Sequence, residues 1–123
     1  MTVALRLPPN LESADAARRL VEGELRPAGV DEETLFRVQL LATELVTNAV
    51  RHAGSPVELS VACRDDRIRV EARDASPKVP RPSCVDAPTR HRGLLLVEDL
   101  SDEWGVDVQD GDGKVVWFEL CDA

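Results

Sequence analysis

Positive charge is scarce in this chain of 123 residues. Lysine and arginine together number 15, against 23 aspartates and glutamates, and the formal net charge is -8. Surfaces that bind nucleic acid neutralise phosphates with clusters of lysine and arginine, so the composition argues against a general nucleic-acid surface. A nucleotide is still compatible with it, because a local pocket can differ in sign from the whole protein.

Cysteine is also scarce, and its spacing suits neither metal nor disulfide chemistry. The three cysteines, Cys63, Cys84 and Cys121, form an odd set without a C-x-x-C pair. This argues against a zinc site or a disulfide framework and for a reducing, cytoplasmic location. No apolar run approaches the length of a membrane span, and the N-terminus has no signal-peptide pattern. We therefore expect one domain over residues 1–123, away from membranes.

The sequence does contain a regular succession of strand and helix patterns. Alternation of apolar and polar residues predicts five strands, at 2–7, 57–63, 68–72, 104–108 and 115–120. Apolar residues at three- and four-residue steps predict three helices, at 13–25 with Ser13 as N-cap, from the acids at 31–33 to Gly54-Ser55-Pro56, and at 94–100. The order predicts an α+β fold, a two-layer sandwich with helices on one face of a mixed, mostly antiparallel sheet.

The second helix carries an unusual polar set in its C-terminal half, LLATELVTNAVRHA at residues 40–53. Glu44, Asn48 and His52 follow at four-residue steps beside an apolar stripe, with Arg51 next to them. A carboxylate and an amide one turn apart can act as a general base and a Mg²⁺ ligand, since Mg²⁺ prefers oxygen. The alternative is an ordinary solvated helix face.

Two further features flank a proline-rich segment at residues 75–90, which we expect to be a functional loop. Asp74 ends the strand before it, where a lone carboxylate can accept the amino group of a base or initiate a turn. Arg92-Gly93 opens the helix after it, and free N–H groups at a helix start favour a phosphate. The basic cluster Arg90-His91-Arg92 is either a set of phosphate contacts or a solvated part of the loop.

These segments resemble the Bergerat-fold (GHKL) ATPases, and more narrowly the small bacterial anti-sigma-factor serine/threonine kinases. ELVTNAVRHA is similar to the N-box of that family. The segment from Asp74 to Pro77 stands where the family has D-x-G-x-P/G, and RGLLLV at 92–97 is similar to the second glycine motif. WG at 104–105 and GKVVWF at 113–118 resemble the closing strands, so the likeness covers nearly the whole chain.

The resemblance implies ATP and Mg²⁺ as cofactors and assigns roles to individual residues. Asn48 would coordinate Mg²⁺, Glu44 would be the general base toward a serine or threonine hydroxyl, and Asp74 would receive the adenine amino group. The other implied nucleotide contacts are Arg51, His52, Ser76, Arg92, Gly93 and the N–H groups from Leu94 onward.

Two departures from the family pattern leave the function open. Ser76 and His91 stand where the family has glycines, which let the backbone approach a nucleotide. One expectation is a kinase that binds a sigma factor and phosphorylates a STAS-type antagonist protein. The other is a degenerate nucleotide site in a module that only sequesters a partner. A metabolic or nucleic-acid ATPase suits this small acidic chain less well. The resemblance also implies a homodimer formed through the first strand and helix.

Overall fold

The computed structural model describes residues 2–10, 12–53, 56–75, 92–109 and 113–121. Its elements are β1 (Thr2–Leu7), α1 (Ser13–Leu25), α2 (Glu32–Ala53), β2 (Val57–Arg64), β3 (Arg67–Asp74), α3 (Arg92–Leu100), β4 (Glu103–Gln109) and β5 (Gly113–Cys121). Their order is the predicted one. The proline-rich segment from Ser76 onward, including His91, lies outside the described residues.

The strands form one five-stranded sheet in the order β1-β2-β3-β5-β4. All four pairings between the described strands are antiparallel. The predicted α+β sandwich is thus confirmed, with a sheet that is antiparallel throughout its described part. Because β5 inserts between β3 and β4, the end of β3 lies against the start of β5.

Local sequence explains where the elements begin and end. The turn between β2 and β3 consists of Asp65 and Asp66, both with positive φ angles of 51° and 65°, a conformation that aspartate tolerates in tight hairpins. The predicted N-cap at Ser13 is one residue off, since Glu12 occupies that position. The Ser13 hydroxyl instead donates to the Pro8 carbonyl, 2.5 Å away.

Helix α2 is the centre of the fold. It packs against α1, α3, β2 and β3. The buried apolar side chains of the described residues form one core between the helices and one face of the sheet. Its large, fully buried side chains include Leu25, Leu41, Leu59, Ile68 and Phe118. None of the described helices is long and apolar enough to cross a membrane.

The opposite face of the sheet is charged. Arg67 and Arg69 both pair with Glu119 on β5, and Arg69 also pairs with Glu71. The Arg69 guanidinium lies 4.1 Å from the centroid of the Trp117 ring, a cation–π contact. Trp117 is therefore part of the outer sheet face, whereas Phe118 is in the core.

Candidate functional site

Asn48 lies on the buried side of α2, in its penultimate turn. Only 6% of its surface is exposed, and it continues the core stripe of Leu41 and Leu45 at helical spacing. Its Oδ1 atom is buried and, within the described part of the chain, accepts no hydrogen bond. A buried polar atom without a partner costs about 1–3 kcal/mol. Such an oxygen is therefore suited to a ligand, and an amide oxygen fits Mg²⁺.

Glu44 precedes Asn48 by one helical turn and is half-buried. Side chains four residues apart on a helix are neighbours, so a carboxylate and the orphaned amide oxygen lie on adjacent turns of α2. Arg51, one turn beyond, is exposed at the end of the helix. His52 belongs to the same last turn of α2, but its side chain lies outside the described part of the structure.

Asp74 is the last residue of β3 and is buried, with 4% of its surface exposed. It stands directly opposite Lys114 on β5. The Lys114 Nζ donates to Asp74 Oδ1 at 3.0 Å, and the two side chains are only 3% and 2% exposed. The predicted base-binding carboxylate is therefore part of a buried ion pair.

Lys114 was not among the residues predicted for the site, although it pairs with Asp74. The two-residue period of β5 could have predicted its burial. It puts Lys114 in phase with the buried residues Val116, Phe118 and Leu120. A lysine in the core-facing phase of a strand needs an acidic partner, because an unpaired buried charge is very unfavourable. The strand register supplies that partner at Asp74.

Gly113 fixes the start of β5 against the end of β3. Its φ angle is +92°, and a Cβ atom built there would lie 1.9 Å from the Asp74 carbonyl oxygen. Only glycine accommodates both the left-handed backbone and this close approach. The same glycine thereby holds Lys114, the next residue, beside the Asp74 side chain.

The third predicted component, the phosphate turn, is the start of α3. The helix begins at Arg92, with Gly93 and Leu94 in its first turn. The first N–H groups of a helix have no partner within the helix and carry the positive end of its dipole. Helix α3 packs on α2. The side chains of residues 92–95 lie outside the described part, as do Ser76, Arg90 and His91 entirely.

Helix α2 connects these components. It carries Glu44 and Asn48, and it packs against both β3, which ends at Asp74, and α3, which begins at Arg92. The described residues contain no group of three or more His, Cys, Asp or Glu side chains that could hold a metal by themselves. Mg²⁺ commonly takes one or two protein oxygens and completes its shell with phosphate and water, so a Mg²⁺ site does not require such a group.

Comparison with curated proteins gives one short match. A 44-residue stretch is 41% identical to the signal transduction histidine-protein kinase AfsQ2 of Streptomyces coelicolor, covering 36% of this chain and 8% of that protein. The chain thus spans only a small part of this relative.

Solved structures share the fold over most of the chain. The RsbU and RsbW domains of Rv1364c from Mycobacterium tuberculosis give a TM-score of 0.77 at 17% identity, covering 98% of this chain and 32% of theirs. The SiaB–SiaC complex from Pseudomonas aeruginosa gives 0.64 at 12% identity, covering 96% and 88%. The histidine kinase domain of the blue-light activated histidine kinase from Erythrobacter litoralis EL346 gives 0.56 at 28% identity, covering 73% and 45%.

The match to a family model identifies the family of this chain. The model of the histidine kinase-like ATPase domain matches residues 7–120. That range includes Glu44 and Asn48 on α2, the Asp74–Lys114 pair and the start of α3. The chain belongs to the histidine kinase-like ATPase domain family.

Proposed function

We propose that the chain binds Mg-ATP and transfers the γ-phosphoryl group to a serine or threonine of an antagonist protein of the STAS type. In its other state it binds a sigma factor. The observation that carries the nucleotide part is the buried Asn48 Oδ1, which accepts no hydrogen bond from the described residues. Family membership implies ATP as the nucleotide.

The residues of the site have separate roles in this proposal. The amide oxygen of Asn48 coordinates Mg²⁺, which when bound neutralises phosphate charge. Asp74 accepts the amino group of the adenine. The first N–H groups of α3, from Gly93 and Leu94, donate to phosphate oxygens, together with the Arg92 side chain. Arg51, His52 and Ser76 complete the predicted contacts to the nucleotide.

Glu44 is the general base of the proposed reaction. The substrate hydroxyl oxygen forms a bond to the γ-phosphorus while the bond from that phosphorus to the β–γ bridging oxygen breaks, and ADP leaves. The hydroxyl proton passes to the Glu44 carboxylate. A phosphoryl transfer of this kind depends mainly on positioning and electrostatic stabilisation. A half-buried carboxylate one turn from Asn48 is suitably placed for this step.

A protein as the phosphate acceptor has support from the structural neighbours. One of them was solved as the SiaB–SiaC complex, and another contains an RsbW domain together with an RsbU domain. These likenesses concern the fold, so the partner class and the homodimer remain our predictions.

Mg-ATP titration of the wild type and Asn48→Ala tests nucleotide binding. We expect micromolar binding to the wild type and a loss of at least about tenfold for the variant, because a charged ligand loses its oxygen partner. Asn10→Ala is the matched control, since Asn10 is the other asparagine of the chain and is exposed. Equal affinity of all three proteins would contradict the role of Asn48.

Glu44→Gln separates catalysis from binding. The amide keeps the size of the side chain but accepts no proton, so phosphoserine formation on an antagonist should fall by about 10²–10⁴-fold while Mg-ATP affinity stays within about twofold. Phosphorylation is measured with purified antagonist proteins and Mg-ATP. Unchanged phosphorylation by the variant would exclude Glu44 as the base.

A second candidate function is a sequestering module whose nucleotide site is degenerate. The Asp74–Lys114 pair favours it, because the predicted base acceptor is already engaged in a buried ion pair. Ser76 and His91 at the family's glycine positions point the same way. The titration decides between the two: no Mg-ATP binding by the wild type, together with stable complex formation with a partner, establishes the sequestering module.

A further inference from the structure

Lys114 on β5 has no role in the proposed phosphoryl transfer. It is 2% exposed and lies one hydrogen bond from the carboxylate that would receive the base. A buried ion pair is a weak stabilising device, since hydrophobic residues of similar size often serve the fold as well or better. A contribution to stability alone therefore does not account for an ion pair at this position.

The neighbour of the pair on edge strand β4 is exposed. Lys114 stands opposite Asp74 on one side and Val108 on the other, and directly opposed residues of antiparallel strands share a face of the sheet. Val108 is 51% exposed, unlike the buried pair next to it. A planar ring could approach the pair along this side, with apolar surface from Val108 beneath it.

The two charged groups offer complementary hydrogen bonding. An ionised carboxylate only accepts hydrogen bonds, and an ammonium only donates them. Adjacent to each other, they present an acceptor beside a donor. The pairing edge of adenine has the matching order, with an amino donor at C6 beside the acceptor N1. Guanine has the reverse order, with an acceptor at C6 beside an N1–H donor, so it would meet the two groups only with its ring turned over.

We propose that Lys114 is a specificity-determining residue of the nucleotide site, and that its ammonium donates a hydrogen bond to N1 of the adenine whose amino group bonds to Asp74. The ammonium donates to Asp74 Oδ1, and its three N–H groups allow it to engage more than one acceptor. The inference rests on the proposed nucleotide site. It adds a direct contact from β5 to the base.

Nucleotide analogues that lack one edge atom test this contact. In 1-deaza-ATP a C–H group replaces N1, and in purine riboside triphosphate a hydrogen replaces the amino group. We expect the wild type to bind 1-deaza-ATP at least about tenfold more weakly than ATP, because a hydrogen bond from a charged donor is lost. The calorimetric titrations need no substitution, so this comparison stands even if a variant fails to fold.

The variant Lys114→Met tests whether Lys114 causes the preference for ATP over 1-deaza-ATP. Met has a similar length without the ammonium, so the variant should bind ATP and 1-deaza-ATP with affinities within about twofold of each other. Arg64→Met is the matched control: it removes a positive charge from an exposed side chain at the opposite end of the sheet, and it should keep the tenfold preference.

The results of these titrations separate a failure of the Lys114 contact from a failure of the nucleotide site. A wild type that binds neither ATP nor the analogues overturns the nucleotide site itself. Weaker binding of purine riboside triphosphate with undiminished binding of 1-deaza-ATP retains Asp74 as the base acceptor but overturns the contact from Lys114. An undiminished N1 preference in Lys114→Met overturns it as well. Tighter ATP binding by Lys114→Met would show that the lysine competes with the base for Asp74, and it too overturns the contact.

Discussion

Strands β3 and β5 carry acid–base pairs on both of their faces, and the two sets of pairs differ in surroundings. On the helix side, Lys114 and Asp74 are buried, with side chains 3% and 2% exposed. On the outer side, Glu119 pairs with Arg67 and Arg69, whose side chains are 44% and 33% exposed. The chemical groups are similar, but water reaches only one set.

This difference determines what each set contributes. Exposed pairs gain little, because water and salt screen them. The buried pair has lost its hydration, so each charge depends on the other. The outer network therefore makes a small contribution to stability, whereas the buried pair behaves as one unit next to the proposed base site.

The largest expected effect is on the buried pair. Lys114→Met leaves Asp74 as a buried charge without its ammonium, and we expect the free energy of unfolding to fall by about 3–5 kcal/mol. Urea denaturation monitored by tryptophan fluorescence measures this. Replacing both residues, as Asp74→Leu with Lys114→Met, should recover most of the loss, because neither charge of the pair is then buried.

Arg69→Met is the control on the outer face, with an expected loss of about 1 kcal/mol or less. Equal losses for Lys114→Met and Arg69→Met would remove the distinction between the two faces. A double variant less stable than Lys114→Met would contradict the dependence of each buried charge on the other.

A somewhat smaller effect is expected at Gly113, which sets the distance between β5 and the end of β3. Gly113→Ala places a Cβ atom 1.9 Å from the Asp74 carbonyl oxygen at a φ angle of +92°. We expect a loss of about 2–4 kcal/mol in the free energy of unfolding, measured by urea denaturation, because the backbone has to shift.

Gly23→Ala is the matched control for this backbone effect. Gly23 lies inside α1, and a Cβ there would meet nothing within 4 Å. Since alanine is favoured over glycine in a helix, this variant should gain up to about 1 kcal/mol. Stabilisation by Gly113→Ala as well would exclude a close approach at the start of β5.

Much of this arrangement could be predicted from local patterns. Alternation and helical spacing predict all the strands and helices of the described residues. The roles of Asn48 and Asp74 in a nucleotide site stay predictions. Local patterns do not contain strand register, however. The insertion of β5 between β3 and β4, which sets Lys114 opposite Asp74, is a non-local pairing, so Lys114 was missed.

The sequence likewise did not predict which individual atoms are buried. The polar face of α2 predicted a ligand role for Asn48, but the lack of a hydrogen bond to its Oδ1 from the described residues depends on how α2 packs in the core. The paired arginines around Glu119 also come from the register, since Arg69 stands opposite Glu119. The two-residue period predicts on which face of the sheet a side chain lies, but it does not predict which residue of the adjacent strand stands opposite.

The smallest expected effect concerns the outer network. Glu119→Gln removes the charge that Arg67 and Arg69 share, and we expect a loss of about 1 kcal/mol in the free energy of unfolding at pH 7 and low salt. The loss should shrink at 1 M salt, where exposed pairs are screened. A loss that is independent of salt would mean that this network behaves like the buried pair.

The pH dependence of the same variant tests the charge on Glu119. The hydrogen bond from Arg69 lowers the pKa of the Glu119 carboxyl, and the contacts from Arg67 lower it further. A group whose pKa is lower in the folded state stabilises the fold above its unfolded pKa, about 4.3 for glutamate. That contribution disappears as the pH falls through the lower, folded pKa. The stability difference between wild type and Glu119→Gln should therefore be constant from pH 6 to 7 and vanish in strong acid. A difference that persists there would assign the effect to packing rather than to charge.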